Sequence, residues 1–147
     1  MTMSIPEKVK HLYTNFDRQM LAGLSDIYRN DIVFQDPLHH ITGLANLSSY
    51  YQGMLDGLES CRFEFTQQLV EEASDSKDSH AVLFWTMHYQ HKKIAQGKPL
   101  SITGNSHIRY DDKVFYHRDY FDAGAMLYEH LPIMGFVIKQ IKKRMEV

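Results

Sequence analysis

Cysteine is nearly absent: Cys61 is the single thiol in 147 residues. One thiol cannot close an internal disulfide, which fits a reducing compartment. A basic surplus is also missing, since 16 Lys and Arg stand against 18 Asp and Glu, for a net charge of −2. A general nucleic-acid binder would carry the opposite sign. No apolar run approaches the roughly 18 residues that a membrane-spanning helix needs. The opening Met1-Thr-Met-Ser-Ile-Pro6 lacks the basic-then-apolar pattern of a signal peptide. These absences predict a soluble, cytoplasmic protein with no integral membrane association and no nucleic-acid partner. There is no glycine-rich phosphate loop, no Gly-x-Ser-x-Gly and no dinucleotide fingerprint. Nine histidines are present, but none has zinc-like spacing. His88 and His91 lie three apart in a strand-type run and so face opposite ways. No metal and no cofactor is expected.

What is present describes one domain. Apolar residues make up 44% of the chain, enough to bury a core at this length. Ser4 as N-cap with Glu7 three residues later reads as a capping box. Val9, Leu12, Tyr13, Phe16, Met20 and Leu21 then recur at helical spacing, which predicts an amphipathic helix over residues 5–22 ending near Gly23. A short helix over 25–28 leads into a strand over 32–35, stopped by Pro37. Residues 38–42 read as a loop and 43–58 as a second helix, with Leu44, Leu47, Tyr50, Tyr51, Met54, Leu55 and Leu58 on its apolar side.

The second half changes period. Strands are predicted over 61–70, 81–92, 100–110 and 114–121, with Gly97, Pro99 and Asp111-Asp112 at the turns. After residue 123 helical spacing returns through Leu127, Leu131, Met134, Val137, Ile138 and Ile141. Helices followed by consecutive long strands predict an α+β domain: a curved, mixed or antiparallel sheet wrapped by N-terminal helices, with an additional C-terminal helix. Its core covers about 5–123 and its extension 124–147.

Two carboxylates stand out. Asp36 lies in the aromatic, β-branched run Ile32-Val-Phe34-Gln-Asp36-Pro37, and Asp119 in Val114-Phe-Tyr-His117-Arg-Asp119-Tyr-Phe121. An acid among large aromatics suggests an apolar pocket suited to proton transfer. Alternation along strands puts His117, Asp119 and Phe121 on one face, Trp85, Met87 and Tyr89 on one, and Ile102, Gly104 and Ser106 on one. If these rows face inward, they line a mostly apolar site with a few polar groups. Phe84, Thr86, His88 and Gln90 then form an outer row, a candidate homodimer surface. Each residue also has a plainer use. Asp36 can cap the turn before Pro37, Asp119 can pair with Arg118, His117 can be a satisfied core histidine, and Tyr13 can serve packing.

The motifs Phe34-Gln-Asp36-Pro37 and His117-Arg-Asp119-Tyr-Phe-Asp122, with this order of elements, resemble the nuclear transport factor 2-like superfamily over roughly residues 7–123. That group includes ketosteroid isomerase, the SnoaL-like polyketide cyclases, limonene epoxide hydrolase and scytalone dehydratase. The resemblance implies a cone-shaped sheet, a deep pocket and frequent dimerisation. It implies a general base at Asp36 and an oxyanion-hole tyrosine at Tyr13. Ser106 stands where the isomerase has a second oxyanion donor, and Asp119 where the cyclases and the epoxide hydrolase carry a carboxylate. Met87, Tyr89, Phe34 and Asp36 replace the remaining epoxide hydrolase residues, which argues against that chemistry.

Two function classes follow. One is a cofactor-independent isomerase, cyclase or dehydratase acting on a small hydrophobic molecule. In it Asp36, Asp119, His117 and Tyr13 are catalytic, and Phe34, Trp85, Met87, Tyr89, Ser106 and Phe121 bind substrate. The other is a non-catalytic ligand-binding or protein-interaction dimer of the same fold. The basic segment from Gly135 to Met145 reads as a helix covering the pocket mouth or sheet edge, or as a docking element.

Overall fold

The computed structural model describes residues 2–126 and 132–146. Helix α1 (Ile5–Thr14) starts as the capping pattern predicts, with the Ser4 side chain accepting from the Glu7 N–H at 3.3 Å. It does not run on to residue 22. The Phe16 N–H donates to the Cys61 carbonyl at 3.1 Å, and Asn15 bridges to Arg62. Asp17 then accepts from the N–H groups of Gln19 and Met20 and starts a separate 3-10 turn, Arg18–Gly23. Phe16 and Met20 still reach the core, so the apolar spacing persists across a break that polar backbone partners create.

Helix α2 (Leu24–Ile27) passes directly into β1 (Tyr28–Gln35), which begins at Tyr28 instead of Ile32. The polar Arg29-Asn30-Asp31 stretch hides the strand's start in the sequence, and a register shift between Tyr28 and Val33 accommodates it. The expected loop over 38–42 contains a three-residue strand, β2 (His40–Thr42), paired antiparallel to β1. Gly43 follows at φ +95°, a conformation that side chains disfavour, and precedes α3 (Leu44–Gly57). Leu47, Tyr51 and Leu55 of α3 are buried at four-residue spacing. Each such side chain contributes about 2 kcal/mol of hydrophobic burial.

Strands β3 (Leu58–Glu71), β4 (Ser79–His91), β5 (Leu100–Tyr110) and β6 (Val114–Phe121) form an antiparallel series. Strand β1 then joins β6 in parallel, giving one open mixed sheet in the order β2-β1-β6-β5-β4-β3. Register shifts in β3, between Leu58 and Ser60 and between Phe65 and Gln67, bend the long strand. On β4, Ala81, Leu83, Trp85, Met87 and Tyr89 are buried while Phe84, Thr86 and His88 are half-exposed. The inner row is therefore the one covered by α1 and α3. Helix α4 (Ala123–Met126) and helix α5 (Pro132–Met145) end the chain. Lys142 Nζ ties α5 back to Asp122 Oδ2 at 2.9 Å. Leu127 and Leu131 lie outside the described residues. Among the described residues, no helix is long and apolar enough to cross a membrane.

Candidate functional site

A cavity of about 520 Å³ lies between the helices and the inner face of the sheet. Tyr13 enters it from α1, Phe34 and Asp36 from β1 and its end, and Tyr50, Tyr51 and Met54 from α3. Trp85, Met87 and Tyr89 enter from β4, and Asp119 and Phe121 from β6. The two remaining candidates, Ser106 and His117, are buried behind the wall and bonded to Asp119. No lysine or arginine lines the cavity among the described residues.

Strand register builds the inner end. Ser106 on β5 lies opposite Asp119 on β6, and its Oγ–H donates to Asp119 Oδ1 at 2.5 Å. Trp85 Nε1–H donates to the same Oγ at 2.9 Å. His117, two residues before Asp119 on the same strand face, places Nε2 2.7 Å from Oδ1. Its Nδ1 lies 2.7 Å from the Tyr28 hydroxyl. Tyr28 continues to Tyr13 at 2.8 Å, and Tyr13 to Tyr51 at 2.5 Å. Burial pushes all three phenols well above the usual tyrosine range, so they keep their protons.

One arrangement of protons uses every donor along this chain: Tyr51 donates to Tyr13, Tyr13 to Tyr28, Tyr28 to His117 Nδ1, and His117 Nε2–H to Asp119. Both bonds to Asp119 fall on Oδ1. Its Oδ2 takes no hydrogen bond among the described residues, and the side chain keeps 15% exposure in the cavity wall.

The other carboxylate is occupied. Asp36 Oδ1 accepts from the N–H groups of Leu38 and His39 at 2.8 and 2.7 Å, the geometry of an Asx turn. His39 Nδ1 lies 3.2 Å from that oxygen, and the Tyr50 hydroxyl donates to Oδ2 at 2.6 Å. Burial, then the bond and charge of Asp36, push the Tyr50 phenol far up. Asp36 therefore caps its turn and also lines the cavity, so the two roles weighed from sequence are compatible.

Sequence reasoning missed Tyr28, Tyr50 and Tyr51 as site groups. The available signal was chemical. A tyrosine on an apolar face must find a partner for its hydroxyl, and Tyr13, Tyr28 and Tyr51 are all on buried faces. Cys61 also lines the cavity, but burial pushes its thiol up to about 12, away from the thiolate needed for attack. Among the described residues, no group of three His, Cys, Asp or Glu could hold a metal ion.

The family model described as SnoaL-like domain matches residues 9–117. This chain belongs to the SnoaL-like family. No curated protein matches it. Among solved structures it is similar to a hypothetical protein from Catenulispora acidiphila with a ketosteroid isomerase-like fold, solved with trimethylamine. That match has 16% identity and TM-score 0.66, covering 86% of this chain and 92% of that one. It is similar to a nuclear transport factor 2-like protein of unknown function from Burkholderia pseudomallei, with 16% identity and TM-score 0.69 over 85% and 96% of the two chains. It is also similar to TerC co-crystallised with polyporic acid, with 18% identity and TM-score 0.65 over 83% and 94%. These likenesses establish the fold, the nuclear transport factor 2-like cone that this SnoaL-like chain adopts.

Proposed function

We propose that this SnoaL-like protein binds a small apolar molecule in the cavity and that Asp119 Oδ2 takes a proton from it without a cofactor. That step is shared by isomerases, cyclases and dehydratases. The observation behind this reading is the division of labour within one carboxylate. Oδ1 is held by Ser106 and His117, which fixes the plane of the group, and Oδ2 is open to an apolar wall. A base of this kind is aimed before substrate arrives and is weakly solvated, two conditions for efficient proton transfer. His117, oriented by the tyrosine chain, holds the carboxylate through Nε2. Tyr50 is the phenol able to turn from Asp36 toward a developing oxyanion. Tyr13 is committed to Tyr28 and Tyr51 and acts as a positioning residue.

The test is turnover of a panel of hydrophobic ketones, lactones and epoxides by wild type and Asp119→Asn. The expected loss is about 10²–10⁴-fold. Unchanged turnover would rule out the mechanism. One observation favours a second reading, a binding module without catalysis. Both candidate oxyanion donors, Tyr13 and Tyr50, are already hydrogen-bonded. Tight ligand binding in both proteins with no turnover anywhere supports that reading.

The same proposal includes a homodimer through the outer sheet face, where Leu69 is 57% and Tyr120 43% exposed. Light scattering that returns a monomer mass at micromolar concentration contradicts it.

A further inference from the structure

We infer that the cavity selects a cation: its occupant is an apolar molecule carrying a protonated amine, which docks on Asp119 Oδ2. This rests on the reading of the cavity as a ligand site and adds the charge of the ligand; an ammonium group takes the Asp119 Oδ2 that proton transfer would use, so it belongs to the binding reading of that site.

Fixed charge in the cavity wall is one-sided. Two carboxylates line the cavity, and no lysine or arginine does among the described residues. Asp36 is answered by two backbone N–H groups, the Tyr50 hydroxyl and His39. Asp119 is answered on Oδ1 only, by Ser106 and His117, and its Oδ2 has no partner among the described residues. The cations nearest in sequence or across the strands are turned elsewhere. Arg118 lies over the Tyr120 ring at 4.7 Å on the opposite strand face. Arg109 pairs with Asp78, and Lys142 with Asp122. A negative charge facing apolar surroundings is costly unless paired. An ammonium group supplies that partner, while an anionic ligand would add repulsion. The wall strengthens the preference. Phe121, on the same strand face as Asp119, and Trp85, linked to Asp119 through Ser106, line the cavity with it, and aromatic rings attract a cation. A neutral alcohol gains the apolar contact but not the charge pairing.

Trp85 is the only tryptophan and lies in the cavity wall, so its fluorescence reports occupancy directly. The experiment titrates the protein at pH 7 with three probes sharing one apolar body: 4-phenylbutylamine, 4-phenylbutan-1-ol and 4-phenylbutanoate. The amine is expected to bind about tenfold tighter than the alcohol, and the acid weakest, as a charge-assisted contact to one carboxylate oxygen requires. Asp119→Asn should erase the difference between amine and alcohol, since the charge pairing is lost. Asp36→Asn should retain the amine preference, because its carboxylate is already answered. Equal binding of amine and alcohol to wild type, or tightest binding of the acid, overturns the inference while leaving the ligand site intact. Failure of all three probes to bind a folded protein overturns the ligand-site reading beneath it. The wild-type series alone decides the matter if Asp119→Asn does not fold.

Discussion

Asp36 and Asp119 line the same cavity, yet their oxygens are used differently. Asp36 is at the end of β1, where the chain turns at Pro37, and the turn's own N–H groups claim one oxygen while Tyr50 claims the other. Asp119 is inside β6, where the backbone ladder is already satisfied and only side chains from the inner face reach it. Two such donors converge on one oxygen and leave the second open. Here the carboxylate at the strand end is recruited to local structure, while the one in mid-strand keeps an oxygen without a partner among the described residues. Residue type and an aromatic setting do not separate the two; backbone context does.

The largest stability effect is expected at the tyrosine chain that supports only the Asp119 end. Tyr28→Phe leaves the Tyr13 O–H without its acceptor and His117 Nδ1 without its donor. Each buried orphan costs about 1–3 kcal/mol, so urea melts should show a clear loss. A melt indistinguishable from wild type would contradict the directed chain. Next is Gly104→Ala. A Cβ there would lie 2.5 Å from the Trp85 ring and 2.5 Å from the Tyr120 carbonyl oxygen. Trp85 must move and loosen its bond to Ser106, and β5 and β6 must shift apart to clear the Tyr120 carbonyl, at about 1–3 kcal/mol or more. A shifted tryptophan emission maximum checks it. Asp36→Asn keeps an acceptor for the turn and should cost about 1 kcal/mol, as turn and cap residues do. A loss as large as that of Tyr28→Phe would mean that the two ends are equally built.

The smallest effect lies away from both carboxylates and serves as their background. His107, stacked on His80 on the outer sheet face, has its folded pKa lowered by burial, then by the His80 and Arg109 charges, with Asp78 opposing. The unfolded chain therefore binds more protons below its value of about 6.5. Stability from this group is present at neutral pH and falls as pH drops through 6.5 toward the lower folded value. His107→Gln should flatten the dependence of Tm on pH across that window.

Much of the fold was legible in the sequence. The alternation on β4 identified its inner row, and the broad apolar side expected of α3 contains the Leu47, Tyr51 and Leu55 that are buried. Three of the features that were not legible have a clear physical reason. The break after Thr14 is set by backbone bonds to β3, distant in sequence. The parallel pairing of β1 with β6 is a matter of topology that neither strand's pattern encodes. The early start of β1 is masked by charged residues at its register shift. For the site, parity placed Trp85, Met87, Tyr89, Asp119 and Phe121 together, but it could not say which carboxylate oxygen stays open. That depends on partners contributed by four different elements.

The most direct measurement compares turnover by Asp119→Asn and Asp36→Asn on the same substrate from the ketone, lactone and epoxide panel, under saturating conditions and with folding verified. The account predicts a loss of about 10²–10⁴-fold for Asp119→Asn and a loss under about tenfold for Asp36→Asn, whose carboxylate serves the turn and Tyr50. The reverse order, with Asp36→Asn the more damaging, would contradict it.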